Sequence, residues 1–473
     1  MTPLTRLSLG AIALLALARP LSAQSAANPP IDRIFAEYDK PTSPGCAVGA
    51  IQNNRYLYKR GYGMANLDYD IPNAPEMVYY IGSDSKQFTA ASIALLSLQG
   101  KLSLDDNIRK YFPELPDYGT PITIRHLIYH TSGIRDIYTL MSLRGDRLED
   151  VFPDSAALAL IFRQKGLGFK PGDAYSYSNS GYFLLAQLIK RVTGQSFREF
   201  ADAQIFMPLG MTHTHFHDDP GHIMKQRAMS YERDGRGGFR ISYIQNFDKV
   251  GAGGLYSNID DLRKWDENYY THQVGGDALQ KLIHTRGVLN NGDTLPYAFG
   301  NEIRTHRGLP VVEHGGAMMG YKAYILRFPD QHLSVITTCN LGAIDPGPLA
   351  HAVAEVFLGN TMGPSPAPAS REPVARSAAA NQPMPISAAD VSALVGDYDS
   401  DDLGATYRVD RMDDGRPGIR APGGVLTALV AVEPNVYRMG AVTVRFARRS
   451  ASGPASSMTL TVARIGDMRF ARR

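Results

Sequence analysis

The feature that most restricts how this chain can fold is a break in composition near Met362. From Met362 to Pro385 the sequence reads MGPSPAPASREPVARSAAANQPMP, with six prolines and no large apolar cluster. A stretch of that kind has too little apolar surface to bury and serves as an extended connector. A hydrophobic core cannot run continuously through it, so the chain must build two bodies, a large one before the connector and roughly ninety residues after it.

The large body mixes two periodicities. Cys46–Ile51, Ala323–Phe328 and Leu333–Thr338 read as strands at its two ends. Between them, Ser85–Leu98 has the pattern of a largely buried helix, with a second helix over Gly181–Val192 and a shorter one over Leu262–Tyr270. Strands at both ends with helices between fit an α+β architecture whose termini meet in one sheet. After the connector, Thr406–Asp410, Val442–Phe446 and Leu460–Arg464 alternate with the two-residue period of half-exposed strands. The near-repeat VRFARR at Val444 and MRFARR at Met468 predicts two similar strands of an antiparallel barrel or meander.

At the other end, Arg6 precedes an apolar run from Leu7 to Ala18, followed by Leu21-Ser22-Ala23. This predicts a signal peptide over residues 1–23, cleaved after Ala23, and a periplasmic or secreted location. No later run of eighteen apolar residues occurs, so no stable membrane insertion is expected after cleavage. The 49 basic and 46 acidic residues leave a net charge of +3 with no block of one sign, which argues against a nucleic-acid partner. Cys46 and Cys339 are too few for a disulfide framework or a four-cysteine zinc site, although an oxidising compartment permits one bridge.

Chemistry is concentrated in three short motifs. Ser83 lies three residues before Lys86, in Ser83-Asp84-Ser85-Lys86. At a helix start this puts a nucleophile and a potential base one turn apart, and burial would lower the lysine pKa enough for a neutral amine to take the seryl proton. Roughly one Ser-x-x-Lys is expected by chance in a chain of this composition, so the context must carry the assignment. That context is Tyr177-Ser178-Asn179 and then His314-Gly315-Gly316 in the same order along the chain.

With Ile122-to-Gly133 (ITIRHLIYHTSG), Phe206-to-Met211 (FMPLGM) and Ala252-to-Ser257 (AGGLYS), these motifs make the chain resemble the serine β-lactamase-related and penicillin-binding-protein family. That family includes class C β-lactamases, D-alanyl-D-alanine carboxypeptidases, D-aminopeptidases and esterases. The resemblance implies an antiparallel sheet flanked by helices, a helical subdomain, and a C-terminal antiparallel barrel-like domain. The organisation becomes signal peptide 1–23, β-lactamase-like serine hydrolase domain 29–361, Pro/Ala-rich linker 362–386 and C-terminal β domain 387–473.

The resemblance also implies roles. Ser83 would be the nucleophile, Lys86 its base and Tyr177 the proton relay. Asn179 would orient Lys86 and a substrate carbonyl, and His314, Gly315 and Gly316 would line the cleft as the third motif, with both glycines letting the strand approach the substrate. The backbone N–H groups of Ser83 and Ala317 would form the oxyanion hole. No cofactor is implied, and the partner is a small-molecule or peptide substrate, cell-wall peptides among them. Oligomeric state is left open. Many β-lactamases carry Lys-Thr-Gly where this chain has His-Gly-Gly, which removes a cation and a hydroxyl and favours esters or D-amino acid amides over anionic β-lactams.

Other readings stay open. The chain could be a β-lactamase or D-alanyl-D-alanine carboxypeptidase, a non-catalytic binder of cell-wall peptides, or a metal-dependent hydrolase using His213, His215, His217 and His222 with Asp218 and Asp219. The histidine stretch is read as a solvated loop with no metal. His126 and His130 lack the glutamate of a zincin pattern, and Trp265 reads as core. In the resembled fold the strands of Cys46 and Cys339 are antiparallel neighbours, which allows a bridge, while two free buried cysteines are an equal alternative.

Overall fold

The computed structural model describes residues 25–242, 246, 248–364, 384–450 and 453–473. The signal-peptide segment 1–23 and residues 365–383 of the connector lie outside the described residues. Among the described residues no helix is long and apolar enough to cross a membrane.

A seven-stranded antiparallel sheet forms the frame of the large body, in the order Tyr297–Ala298, Asn301–His306, Leu309–Met318, Tyr321–Phe328, Leu333–Cys339, Cys46–Gln52, Arg55–Tyr62. The two ends of this body meet in its middle, where Cys46–Gln52 pairs with Leu333–Cys339 and Cys46 stands opposite Cys339. The two cysteines are bonded as a disulfide across 293 residues of sequence. Both strands are buried along nearly their whole length because both faces of the sheet are covered. On one face Val48, Ala50, Leu333 and Val335 meet Ile31 and Phe35 of the first helix and Val353 and Ala354 of Pro346–Leu358. On the other, Ala47, Ile51 and Ile336 belong to a larger core that continues through Lys86–Leu98 into the helical region.

Lys86–Leu98 is buried from Lys86 to Leu96, which explains why its sequence is apolar nearly all round. It packs against two helices, Asn179–Thr193 and Gly276–Ile283. Trp265 is core: its ring lies 4.5 Å from Phe88 and its indole N–H donates to Gln87.

The C-terminal body is one nine-stranded antiparallel sheet. Its two edge strands, Thr427–Ala428 and Val430–Glu433, are separated only by Leu429, so the sheet curls into a nearly closed barrel with little exposed edge. The near-repeat strands Val442–Arg448 and Gly466–Arg472 flank the same neighbour, Ala455–Val462. One expectation is corrected here. The strand predicted over Leu460–Arg464 ends at Val462, because Val462 pairs with Gly466 in a tight hairpin and Arg464 takes a left-handed backbone (φ +64°) at its tip.

The barrel docks on the helical region through an ion pair between buried Arg135 and half-buried Asp402, at 2.7 Å. Arg135 also donates to the Asp467 carbonyl at 2.7 Å, and the Tyr407 hydroxyl donates to the Leu143 carbonyl at 2.6 Å.

Candidate active site

Ser83 sits in a short 3-10 turn, Gly82–Ser85, that runs directly into helix Lys86–Leu98. The turn needs glycine at 82, where φ is +57° and a Cβ would stand 2.4 Å from the Ala317 nitrogen. The third-motif strand, Leu309–Met318, presses against the same turn, and a Cβ on Gly316 would fall 1.8 Å from the Ile81 carbonyl oxygen. The room left at Gly316 is used by the Ser83 turn and that at Gly315 by the Tyr324 ring, and both residues line the cleft.

The ammonium of Lys86 is fully buried and faces only neutral oxygens. It donates to Ser83 Oγ at 3.0 Å, Asn179 Oδ1 at 3.0 Å and the Ala252 carbonyl at 2.6 Å. Burial pulls its pKa down to about 7, helped by Arg464 and opposed by the carboxylates of Asp136 and Asp84. The Tyr177 ring lies 4.7 Å from Lys86 Nζ. Burial raises the Tyr177 pKa, while a hydrogen bond with Ser83 works the other way. The structure thus brings Ser83, Lys86, Tyr177 and Asn179 together. His314, Gly315, Gly316 and Ala317 line the same cleft, of about 1070 Å³.

His314 is buried, and burial together with nearby Lys86 pulls its pKa to about 3. It is therefore neutral near pH 7. Its Nδ1 sits 2.8 Å from the Gly315 carbonyl oxygen and 3.8 Å from Asp84 Oδ1. Asp84 is sealed from water with no hydrogen bond to either carboxyl oxygen among the described residues, and burial raises its pKa well above the carboxylate range.

Two supporting residues were not found from sequence. Asp136 accepts the Asn179 backbone N–H at 2.7 Å and its side-chain amide at 2.9 Å through one oxygen. Through the other it caps helix Ile137–Arg144 by accepting from Thr139. Because Asp136 holds the Asn179 amide nitrogen, the amide oxygen is left to face Lys86. The available signal was only local, an aspartate before an apolar helical run. His130, set aside with the failed zincin pattern, stacks under Tyr177 with ring centroids 4.3 Å apart and accepts from the Ser178 N–H at 3.1 Å.

The histidine stretch is corrected in part. His213 and His222 are exposed, but His215–Phe216 is a short strand paired with Leu255–Ser257, and His217 is buried. The His215 and His217 rings meet at 3.3 Å, and burial pulls them to about 3 and about 4. The stretch lies beside a separate pocket, and no group of three or more His, Cys, Asp or Glu among the described residues is placed to hold a metal ion.

Comparison with known proteins places these features in one group. The family model described as Beta-lactamase matches residues 31–379. A D-aminopeptidase of Gluconobacter oxydans is 31% identical over 298 residues, 63% of this chain and 56% of the relative. Penicillin-binding protein 4* of Bacillus subtilis is 28% identical over 307 residues, 62% of this chain and 67% of the relative. The chain therefore spans little more than half of the D-aminopeptidase. The octameric penicillin-binding protein homologue from Pyrococcus abyssi shares the fold, with a TM-score of 0.62 at 24% identity over 93% of this chain and 98% of that one.

Proposed function

The chain belongs to the Beta-lactamase family, and from that premise we propose that it is an exported serine hydrolase cleaving D-amino acid amides or peptides, or short acyl esters, through an acyl-enzyme on Ser83. The observation that carries this reading is Lys86, buried, 3.0 Å from Ser83 Oγ and with a pKa of about 7. A neutral amine at that position accepts the hydroxyl proton as Oγ attacks the substrate carbonyl. The Tyr177 phenol passes a proton to the departing amine or alcohol, and the Ser83 and Ala317 N–H groups receive the oxyanion. Asn179, held by Asp136, keeps Lys86 aimed. Water then attacks the acyl-enzyme by the reverse proton path.

The preference for esters and amides over β-lactams rests on the third motif. His314 is neutral and sealed, and Gly315 has no side chain, so this strand offers a β-lactam carboxylate neither of the groups found in Lys-Thr-Gly enzymes. The loss of such charge-assisted contacts corresponds to roughly 30- to 1,000-fold in specificity. Export is supported by the leader sequence and by the Cys46–Cys339 bridge, which suits an oxidising compartment.

The test is a panel of a D-amino acid amide, a D-amino acid peptide, a short acyl ester and a cephalosporin. Ester or amide should give the highest kcat/KM, and Ser83→Ala should abolish both turnover and fluorophosphonate labelling. A cephalosporin ranked first makes the protein a β-lactamase. Absence of labelling on a folded wild-type protein makes it a non-catalytic binder, and loss of activity to chelators returns the metal-dependent reading.

A further inference from the structure

We propose that Arg464, carried into the cleft by a hairpin of the C-terminal barrel, is the cation that recognises a carboxylate on the substrate's leaving group. The inference rests on the hydrolase reading above for the term leaving group, but the placement of the cation is independent of it.

Arg464 lines the same cleft as Ser83, Tyr177 and Asn179 while belonging to a different body of the protein. Its guanidinium carbon lies 5.1 Å from the Tyr177 ring centroid, on the residue assigned to proton delivery to the leaving group. The side chain is exposed, and no ion pair with a carboxylate is found for it among the described residues. The acidic groups that also line the cleft are otherwise engaged. Asp136 holds Asn179 and Thr139, Glu302 accepts from Arg304 at 2.6 Å, and Asp345 accepts from the Gly347 N–H at the start of its helix.

The hairpin tip is held firmly. The Arg464 carbonyl accepts from the Asp136 N–H at 3.2 Å, so the residue that orients Asn179 also positions Arg464. Ile465 is buried, and its carbonyl packs close to Gly168, where a Cβ would stand 3.2 Å away. Asp467 receives Arg135 next to the Arg135–Asp402 pair. A non-glycine residue persists in the left-handed region only where its surroundings over-determine it, and at Arg464 (φ +64°) they do. Planar guanidinium donors on such a fixed backbone match a carboxylate in two-point geometry. Because His314 is neutral, the anion site has moved from the third-motif strand to the barrel side of the cleft. The remaining cleft-lining cation among the described residues, Lys322, stands opposite Ala317 on the strand Tyr321–Phe328 and is the competing assignment.

The experiment compares an N-acyl dipeptide of D-amino acids bearing a free C-terminal carboxylate with the same compound as its C-terminal amide. Binding is measured by calorimetry on the full chain carrying Ser83→Ala, and turnover on the chain with Ser83 intact. The carboxylate form should bind more tightly, and Arg464→Gln should cut that preference roughly 10- to 100-fold, with Arg464→Lys recovering part of it. In turnover the same loss should appear mainly in KM. Thermal melting of Arg464→Gln should match that of the parent, since the side chain is exposed. A preference that is absent, that survives Arg464→Gln, or that instead collapses with Lys322→Gln overturns the proposal. Failure of the hydrolase reading looks different: no turnover of either compound with Ser83 intact, while calorimetry still reads Arg464.

Discussion

Lys86 and Arg327 are both cations sealed from water, and the protein treats them in opposite ways. Arg327, on the strand beside the third motif, donates to Asp266 at 2.7 Å, and Ser334 donates to the same carboxylate at 2.8 Å. Burial pulls the Arg327 pKa down, but Asp266 together with Tyr270 and Tyr269 more than compensates and the net direction is up. Lys86 is buried to the same degree yet touches no carboxylate oxygen, and its pKa falls to about 7. The difference separates scaffold from chemistry. Arg327 is neutralised where it holds elements together, and Lys86, the base in the proposed reaction, has Asp136 held off behind Asn179.

Removing each cation sharpens the contrast. Lys86→Ala should reduce kcat/KM by about 100- to 10,000-fold, the range for loss of a general base, while the protein still folds. Arg327→Ala should do the reverse, costing about 3–5 kcal/mol in denaturant unfolding because Asp266 is left buried and unpaired, with activity per folded molecule largely kept. Replacing Arg327 and Asp266 together by apolar residues of similar size should recover most of that stability. If Lys86→Ala retains turnover, or Arg327→Ala melts like the parent, the distinction fails.

Asp136→Asn tests the displaced partner. Its amide cannot accept both Asn179 donors with one charged oxygen, so kcat should fall by roughly 10- to 100-fold. Asp136 raises the Lys86 pKa, so the acidic limb of the pH–rate profile, expected near 7 in the parent, should move to lower pH in the variant. A limb that stays in place would separate Lys86 from the rate-controlling titration.

The gentlest effect at any one pH step is a linkage. Between pH 7 and 10.5 Lys86 is neutral in the folded protein and protonated in the unfolded one. The unfolded state then binds the extra proton, so this group makes stability rise with pH across that window. The rise amounts to at most about 1.4 kcal/mol per pH unit. Lys86→Ala should lose that slope, and subtracting its pH–stability curve from the parent's isolates it. An unchanged slope would mean that Lys86 stays charged when folded.

Local pattern carried the sequence reading as far as local physics reaches. The apolar run behind Ser83, the strand periods at both ends of the large body and the repeated VRFARR and MRFARR segments each fix their own element through side-chain burial. Local pattern misleads where a contact between distant segments overrides it. Leu460–Arg464 alternates like a strand to its end, yet pairing of Val462 with Gly466 forces a turn at Arg464. The histidine stretch is polar like a loop, yet pairing of His215–Phe216 with Leu255–Ser257 half-buries it.

By itself, then, the sequence determined which side chains are available for chemistry: Ser83 and Lys86 one helical turn apart, Tyr177 and Asn179 two residues apart, and a third motif with no cation. Those are short-range relations, set by backbone geometry and independent of the rest of the chain. Tertiary structure alone decided how each group behaves. Burial makes Lys86 a base near neutrality and leaves His314 uncharged, Asp136 turns the Asn179 amide, and docking of the barrel brings Arg464 over Tyr177. Desolvation and long-range contact depend on what the whole chain packs around a group, and no local window of sequence contains that information.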